Sequence, residues 1–164
     1  MWFEMRREDL SFLERAPVVH AFEAEVAAPA VAVFAAFADP TTWSAWFPGV
    51  HEASYPSGPP YGVGTVRAAH VGATHWVEEL IAWDLDRRFA YTVTRATVPL
   101  ARAQVESFDF EGRAGGTRVR WRLACEPRLL MRLGAPFAPR VMGGVFHRAI
   151  ANLAARLCAA GSRG

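Results

Sequence analysis

Lysine is absent from this 164-residue sequence, and cysteine occurs only twice. All 18 basic residues are therefore arginine, and 16 acidic residues bring the formal net charge to +2. A nearly balanced charge, without a basic cluster interleaved with aromatic residues, argues against nucleic-acid binding. Cys125 and Cys158 lie far apart and in no metal-binding spacing. They are expected to be free, buried thiols in a reducing compartment.

Long apolar runs and catalytic signature motifs are also missing. No segment approaches the ~20 apolar residues of a membrane-spanning helix, and residues 1–7 lack the apolar region of a signal peptide. No nucleophile elbow, phosphate-binding loop, dinucleotide fingerprint or zinc spacing occurs. The sequence thus predicts a cytoplasmic protein with no stable membrane insertion, no metal and no cofactor.

The composition that remains is that of one globular domain. Hydrophobic residues make up 52% of the chain and charged residues 21%, enough to bury a proper core. Residues 1–16 mix aromatic and charged side chains and are interpreted as an N-terminal extension that packs onto the domain. Membrane-surface attachment is the weaker alternative, because acids and bases are mixed along it. The domain itself is predicted to span residues 17–160, followed by a tail at 161–164.

The hydrophobic pattern alternates between strand and helix periods along the domain. A half-buried strand is predicted around residues 18–26, a helix after Pro29, and a second short helix over residues 41–47. Turn residues then separate a series of β-rich segments, the last of which places Val119 and Trp121 on one face and Arg118 and Arg120 on the other. This order predicts an α+β domain with a curved antiparallel sheet.

A long amphipathic helix is predicted at the C-terminus. Its apolar stripe includes Phe146, Ile150 and Leu153. Pro136 and Pro139 predict that the first part of this segment is broken or kinked. A long helix laid across a curved sheet leaves a gap between the two, where an internal cavity is expected.

The chain resembles the SRPBCC superfamily, also called START-like or helix-grip. The segments that carry the resemblance are "APAVAVFAAFADPTTWSAWFPGV", "VGTVR", "EELIAWDLDRRFAYTV", "GGTRVRWRL" and the C-terminal helix. Closest in character is the polyketide cyclase/dehydrase and lipid-transport-like branch. The resemblance implies a helix-grip fold and an internal cavity for a hydrophobic small molecule, such as a polyketide-like aromatic, a lipid or a terpenoid. It also implies cyclase or dehydratase activity as one possible role.

Polar residues in an inward register are the candidate catalytic groups, because a buried polar group without a partner is costly. Glu106 shares a face with Phe108 and Phe110, and Arg95 shares a face with Tyr91. These two charged residues are predicted to pair across the cavity. The alternative is that both lie near strand ends and reach solvent.

One residue of the pair Glu78 and Glu79 must also point inward. Ile81 and Trp83 make the side that carries Glu79 slightly more apolar, so Glu79 is favoured. A buried carboxylate would have a raised pKa and could act as a general acid or base. In this hypothesis Glu79 or Glu106 is the acid/base and Arg95 stabilises enolate charge.

The remaining candidate residues form the cavity wall, with the aromatic cluster of residues 43–47 closing one end. The predicted ligand-binding residues are Phe34, Trp46, Phe47, Trp76, Tyr91, Phe108, Trp121, Phe146 and His147. The rival function is a non-enzymatic carrier or sensor, which would show an almost wholly apolar cavity. An interaction module is a third option, and a homodimer stays open.

Overall fold

The computed structural model describes residues 1–129 and 137–161. The helices are α1 (Phe12–Arg15), α2 (Ala30–Ala38), a 3₁₀ segment (Pro40–Ala45) and α3 (Ala138–Gly161). The strands are β1 (Phe3–Glu4), β2 (Val18–Val26), β3 (Val50–Ser54), β4 (Val66–Val71), β5 (Thr74–Asp84), β6 (Arg88–Ala96), β7 (Ala101–Arg113) and β8 (Gly116–Pro127). Pro136 and residues 162–164 of the predicted tail lie outside the described residues.

All described strands belong to one antiparallel sheet in the order β2-β8-β7-β6-β5-β4-β3, with β1 paired to β6. The sheet curls into a half-barrel that holds α3. The α+β helix-grip prediction is therefore confirmed, including the two short helical segments after β2. Alternation along β8 is also as predicted, since Val119 and Trp121 are buried while Arg118 and Arg120 reach the surface. No helix in residues 1–129 and 137–161 is long and apolar enough to cross a membrane.

The C-terminal helix packs on the concave face of the sheet. Phe146 is fully buried against Phe22 of β2 and Trp121 of β8, with ring centroids 6.2 and 5.7 Å apart. Gly143 permits this close approach, because a Cβ atom there would lie 3.1 Å from the Phe22 ring. Nearly two turns beyond Phe146, Asn152 Nδ2 donates a hydrogen bond to the Trp46 carbonyl. This bond ties α3 to the segment that closes the end of the sheet.

The aromatic segment after α2 is fixed by its own hydrogen bonds. The Asp39 carboxylate accepts a hydrogen bond from the Thr41 backbone N–H at 3.0 Å, which caps the 3₁₀ segment. Trp43 Nε1 donates to the Phe37 carbonyl at 3.0 Å, and Trp43 and Trp46 are both buried. The segment is thus a rigid plug between α2 and β3.

The N-terminal segment covers part of the convex face. β1 continues the sheet beside β6, where the β6–β7 pairing has ended, and Met5 joins the main core. Phe12 and Leu13 of α1 pack on Ala103 and Val105 of β7 in a second, smaller core. Ile81 of β5 faces this outer core and not the inner one. Part of the convex face is therefore apolar.

Candidate functional site

A cavity of about 270 Å³ lies between the concave face of the sheet, the 3₁₀ segment and α3. Trp43 and Phe47 form one wall, and Trp121 and Leu123 of β8 form another. Val145 contributes from α3. Among the described residues, the polar side chains that line it are Arg67, Glu78, Tyr91, Gln104 and Glu106.

Arg67 and Glu78 form a buried ion pair at one side of the cavity. The two residues lie directly opposite each other on β4 and β5, and Arg67 Nε is 2.5 Å from Glu78 Oε2. Only 2% of Arg67 and 5% of Glu78 is exposed. Burial is the largest influence and opposes the charge on Arg67, but the charge and hydrogen bond of Glu78 and the nearby Tyr91 and Tyr55 together outweigh it, so the pKa of the guanidinium is raised. Arg67 is therefore a permanent cation.

Aromatic rings complete the surroundings of the Arg67 guanidinium. Its Cζ lies 4.3 Å from the ring centroid of Trp43 and 4.4 Å from that of Tyr91, which are favourable cation–π distances. Its Nη1 is buried and has no hydrogen-bond partner among the described residues. Nη1 carries two N–H groups, and this nitrogen of a buried cation is thus left without an acceptor.

Glu106 lies at the other side, held by two hydrogen bonds. Gln104 Nε2 donates to Oε1 at 2.8 Å, and Trp121 Nε1 donates to Oε2 at 2.9 Å. The hydroxyl of Tyr91, directly opposite on β6, also favours the carboxylate form. Burial, and then the negative charge of Glu78, raise the pKa of Glu106 to about 7, although these three polar neighbours act in the opposite direction. Glu106 can therefore gain or lose a proton near neutral pH.

Tyr91 stays neutral under the same conditions. Burial, followed by the charge of Glu106, raises the pKa of its hydroxyl well above the ordinary value. The site thus combines a carboxyl group that exchanges protons, a neutral hydroxyl and a fixed cation in an apolar cavity. Such a set can move a proton to or from a bound molecule and stabilise charge on its oxygen.

Several of the site residues predicted from the sequence do line the cavity. Glu106, Phe47, Trp76, Tyr91 and Trp121 all line it. What they do there stays a prediction.

Other predicted ligand-binding residues lie elsewhere in the structure. Phe34, Trp46, Phe108 and Phe146 are buried in the main core and are not among the lining residues. Phe108 acts behind the wall, since its ring stacks on that of Trp121 at 5.9 Å. His147 is exposed on α3.

The inward glutamate of β5 is Glu78, and the preference for Glu79 is a wrong prediction. Glu79 lies on the opposite face, where it pairs with Arg7 at 3.0 Å. The pairing of β5 with β6 shifts between Leu80 and Ala82, so that Ile81 is an extra residue. This β-bulge reverses the alternation. Trp83 therefore lies on the inner face, although simple alternation would place it on the same face as the outward-pointing Glu79.

A second bulge explains why the expected pair of Arg95 and Glu106 does not form. The register shifts between Val77 and Glu78, which makes Thr94 the extra residue on β6. Ala96 is consequently buried in the main core, and Arg95 is exposed with its guanidinium over the ring of Trp2. Arg95 therefore cannot stabilise charge in the cavity. The cation that lines the cavity is Arg67.

Arg67, Glu78 and Gln104 are the polar lining residues that the site prediction missed. Gln104 could have been found, because it precedes Glu106 by two residues and shares its face. Arg67 gave no clear signal, since the stretch "VRAAHV" is equally apolar on both faces. Its inward register depends on the pairing of β4 with both β3 and β5.

Residues 19–157 match a family model described as polyketide cyclase/dehydrase and lipid transport. An uncharacterised protein of Mycobacterium tuberculosis is 28% identical over 155 residues, which cover 94% of this chain and 87% of that protein.

Solved structures share the fold at low sequence identity. A START superfamily protein from Mycobacterium smegmatis superposes with a TM-score of 0.69 at 13% identity, covering 84% of this chain and 95% of the other. The Zhui aromatase/cyclase from a Streptomyces species gives a TM-score of 0.63 at 18% identity, covering 89% and 94%. A protein from Thermobifida fusca gives 0.67 at 22% identity, covering 84% and 91%. At these identities the likeness concerns the fold alone.

Proposed function

Because the chain belongs to the polyketide cyclase/dehydrase and lipid transport family, we propose that it binds a small hydrophobic molecule in its cavity and catalyses an acid–base step on it. The observation that carries this proposal is the position of Glu106. It is a buried carboxyl group whose pKa is raised to about 7, and it lines an apolar cavity together with Tyr91 and Arg67. The reaction class is dehydration or cyclisation.

The size of the cavity limits the ligand. Its volume of about 270 Å³ is just below the range of roughly 300–1,000 Å³ that is usual for small-molecule sites. One or two fused rings, or a short acyl chain, fit better than a long fatty acid. Trp43, Trp76 and Trp121 line the cavity and offer flat aromatic surfaces, which favour a ring-containing ligand.

Dehydration of a β-hydroxy ketone shows how the residues would act. The Glu106 carboxylate removes the proton from the carbon between the carbonyl and the hydroxyl-bearing carbon. Electrons shift to the ketone oxygen, which the Arg67 cation in the cavity lining stabilises. The C–O bond then breaks, the proton on Glu106 passes to the departing hydroxyl, and water leaves. A conjugated ketone is formed and the Glu106 carboxylate is restored.

The lining distinguishes this proposal from the carrier alternative. A carrier is expected to have an almost wholly apolar cavity, whereas here two carboxyl groups, a hydroxyl, an amide and a guanidinium face it in the described part of the chain. Most of these groups pair with one another, but Glu106, with its pKa of about 7, can exchange a proton there. Their convergence favours chemistry over simple storage.

The test combines binding and turnover. Native mass spectrometry of the freshly purified protein would detect a co-purified hydrophobic molecule, and calorimetry would measure binding of one- and two-ring β-hydroxy ketones. Dehydration is followed by the ultraviolet absorbance of the conjugated ketone. Glu106→Gln should bind these compounds but lose at least about 100-fold in rate, as expected for removal of a general base. Glu111→Gln, on the exposed end of the same strand, is the matched control and should keep full activity.

Two results would count against the proposal. If no compound binds and none co-purifies, both the binding and the catalytic parts fail. Binding without turnover in the wild-type protein would support the carrier function and refute the acid–base step.

A further inference from the structure

We infer that the cavity selects a ligand whose polar end is uncharged, a hydroxyl or a ketone, and rejects the same skeleton carrying a carboxylate. This inference rests on the proposed ligand-binding function and specifies the chemistry of the ligand. It follows from how the charges and hydrogen-bond donors of the cavity are already used.

Among the described residues, the charges around the cavity leave no cation free for an anionic ligand. Arg67 from β4 is neutralised by Glu78 from β5, at an Nε–Oε2 distance of 2.5 Å. Glu106 from β7 adds a negative charge when it is ionised. Tyr91 from β6 and Cys125 from β8 are neutral at physiological pH, since burial raises the pKa of both. The net charge of the described lining is therefore zero or −1. A carboxylate would lose its hydration without meeting a net positive charge, and it would be repelled when Glu106 is ionised.

The hydrogen-bond donors are likewise committed. The side chains of Gln104 and Trp121 donate hydrogen bonds to Glu106, and the Tyr91 hydroxyl also favours its carboxylate form, so the donors that a bound carboxylate would require already serve an internal one. Arg67 Nη1 is the buried donor in this group without a partner. The two N–H groups of Nη1 can serve a ketone or hydroxyl oxygen, whereas a carboxylate also needs a net positive surrounding, which a cation already paired with Glu78 does not supply.

Proton transfer within the cavity is consistent with this selection. When Glu106 takes a proton from the ligand, one negative charge moves from the carboxylate to the ligand oxygen, and the total charge is unchanged. A ligand that enters as an anion adds a charge instead. The cavity can therefore support an enolate formed inside it while it excludes a preformed anion.

The experiment compares three probes with one skeleton: 2-naphthol, 2-naphthoate and 2-naphthylmethylammonium. Isothermal titration calorimetry measures their Kd at about pH 6 and about pH 8, on either side of the pKa of about 7 for Glu106. We expect 2-naphthol to bind at least about tenfold more tightly than 2-naphthoate at both pH values. Ionisation of Glu106 should weaken 2-naphthoate by a further threefold or so at the higher pH, and strengthen the ammonium probe by a similar factor.

The opposite pH dependence of the two charged probes separates electrostatic selection from simple loss of hydration, which would penalise both alike. In Glu106→Gln the pH dependence of both probes should disappear. Naphthoate binding as tight as naphthol, or charged probes that respond to pH in the same direction in the wild-type protein, would overturn the inference while leaving the binding function intact. Failure of all three probes to bind would instead refute the proposed function for two-ring ligands and this inference with it.

Discussion

Replacing Arg67 by methionine is expected to destabilise the protein severely, because Glu78 would be left as a buried charge without a partner. Both side chains are almost inaccessible to solvent, and the two atoms that join them are 2.5 Å apart. Breaking such a pair from one side costs about 3–5 kcal/mol. Lost contacts with the Trp43 and Tyr91 rings add up to about 2 kcal/mol more. These losses are a large part of the ~5–15 kcal/mol that stabilises a typical domain.

Urea unfolding followed by tryptophan fluorescence measures this effect, and a double-mutant cycle assigns it to the pair. Arg67→Met combined with Glu78→Leu removes both charges, so the double variant should regain about 2–4 kcal/mol over the sum of the single effects. Arg118→Met is the matched control. Arg118 pairs with Glu25 at 2.9 Å on the exposed face, and its loss should cost less than about 1 kcal/mol. Additive single effects, or a loss below about 1 kcal/mol for Arg67→Met, would refute the reasoning.

Three further predictions concern Glu106, the hairpin at Gly116 and the outer core. Because burial raises the pKa of Glu106 from 4.5 to about 7, the folded protein binds the extra proton between these values. The free energy of unfolding of the wild type relative to Glu106→Gln should therefore fall by about 2–3 kcal/mol as the pH rises through this interval, measured by urea denaturation. Gly116→Ala should destabilise by more than about 2 kcal/mol in the same assay, since its Cβ would lie 2.2 Å from the Val26 carbonyl oxygen. Phe12→Ala, which empties a buried position of α1, should cost about 3 kcal/mol in thermal unfolding, whereas Phe137→Ala at an exposed position should have little effect.

Controls for the Glu106→Gln and Gly116→Ala variants come from strand β7. Gly112→Ala places a Cβ in open space and should leave stability nearly unchanged, so an equal loss in both glycine variants would contradict the steric argument. Glu111→Gln alters an exposed carboxylate on the same strand as Glu106. If its pH profile differed from the wild type as much as that of Glu106→Gln, burial would not be the cause of the Glu106 effect.

Local patterns were enough to predict the main elements of the fold. Alternation in β8 separates buried Trp121 from exposed Arg120, and an apolar stripe defines α3 through Phe146 and Leu153. Both signals arise within a single element and can be recognised without knowing how that element packs on its neighbours. The order of elements then predicts an α+β domain with a long helix laid across a curved sheet, and the family resemblance implies the helix-grip architecture.

The site was only half predictable, because side-chain direction on β5 and β6 depends on pairing between strands. Extra residues at Ile81 and Thr94 reverse the alternation, which moves Glu79 and Arg95 to the outer face. The apolar character of Ile81 also wrongly suggested that its side of β5 points inward, whereas Ile81 packs in the outer core beneath α1. A bulge is a property of two strands together, so one strand's sequence gives no direct sign of it.

The central claim, that the cavity around Glu106 binds the ligand, is tested most directly by the ¹⁵N–¹H signals of the tryptophan indoles. Trp121 Nε1–H donates to Glu106 at 2.9 Å and lines the cavity, whereas Trp2 and Trp83 lie elsewhere on the protein. Titration with 2-naphthol should shift the Trp121 signal while those of Trp2 and Trp83 stay in place. A saturable shift at Trp2 or Trp83 with an unmoved Trp121 would place the ligand outside the cavity and contradict the account.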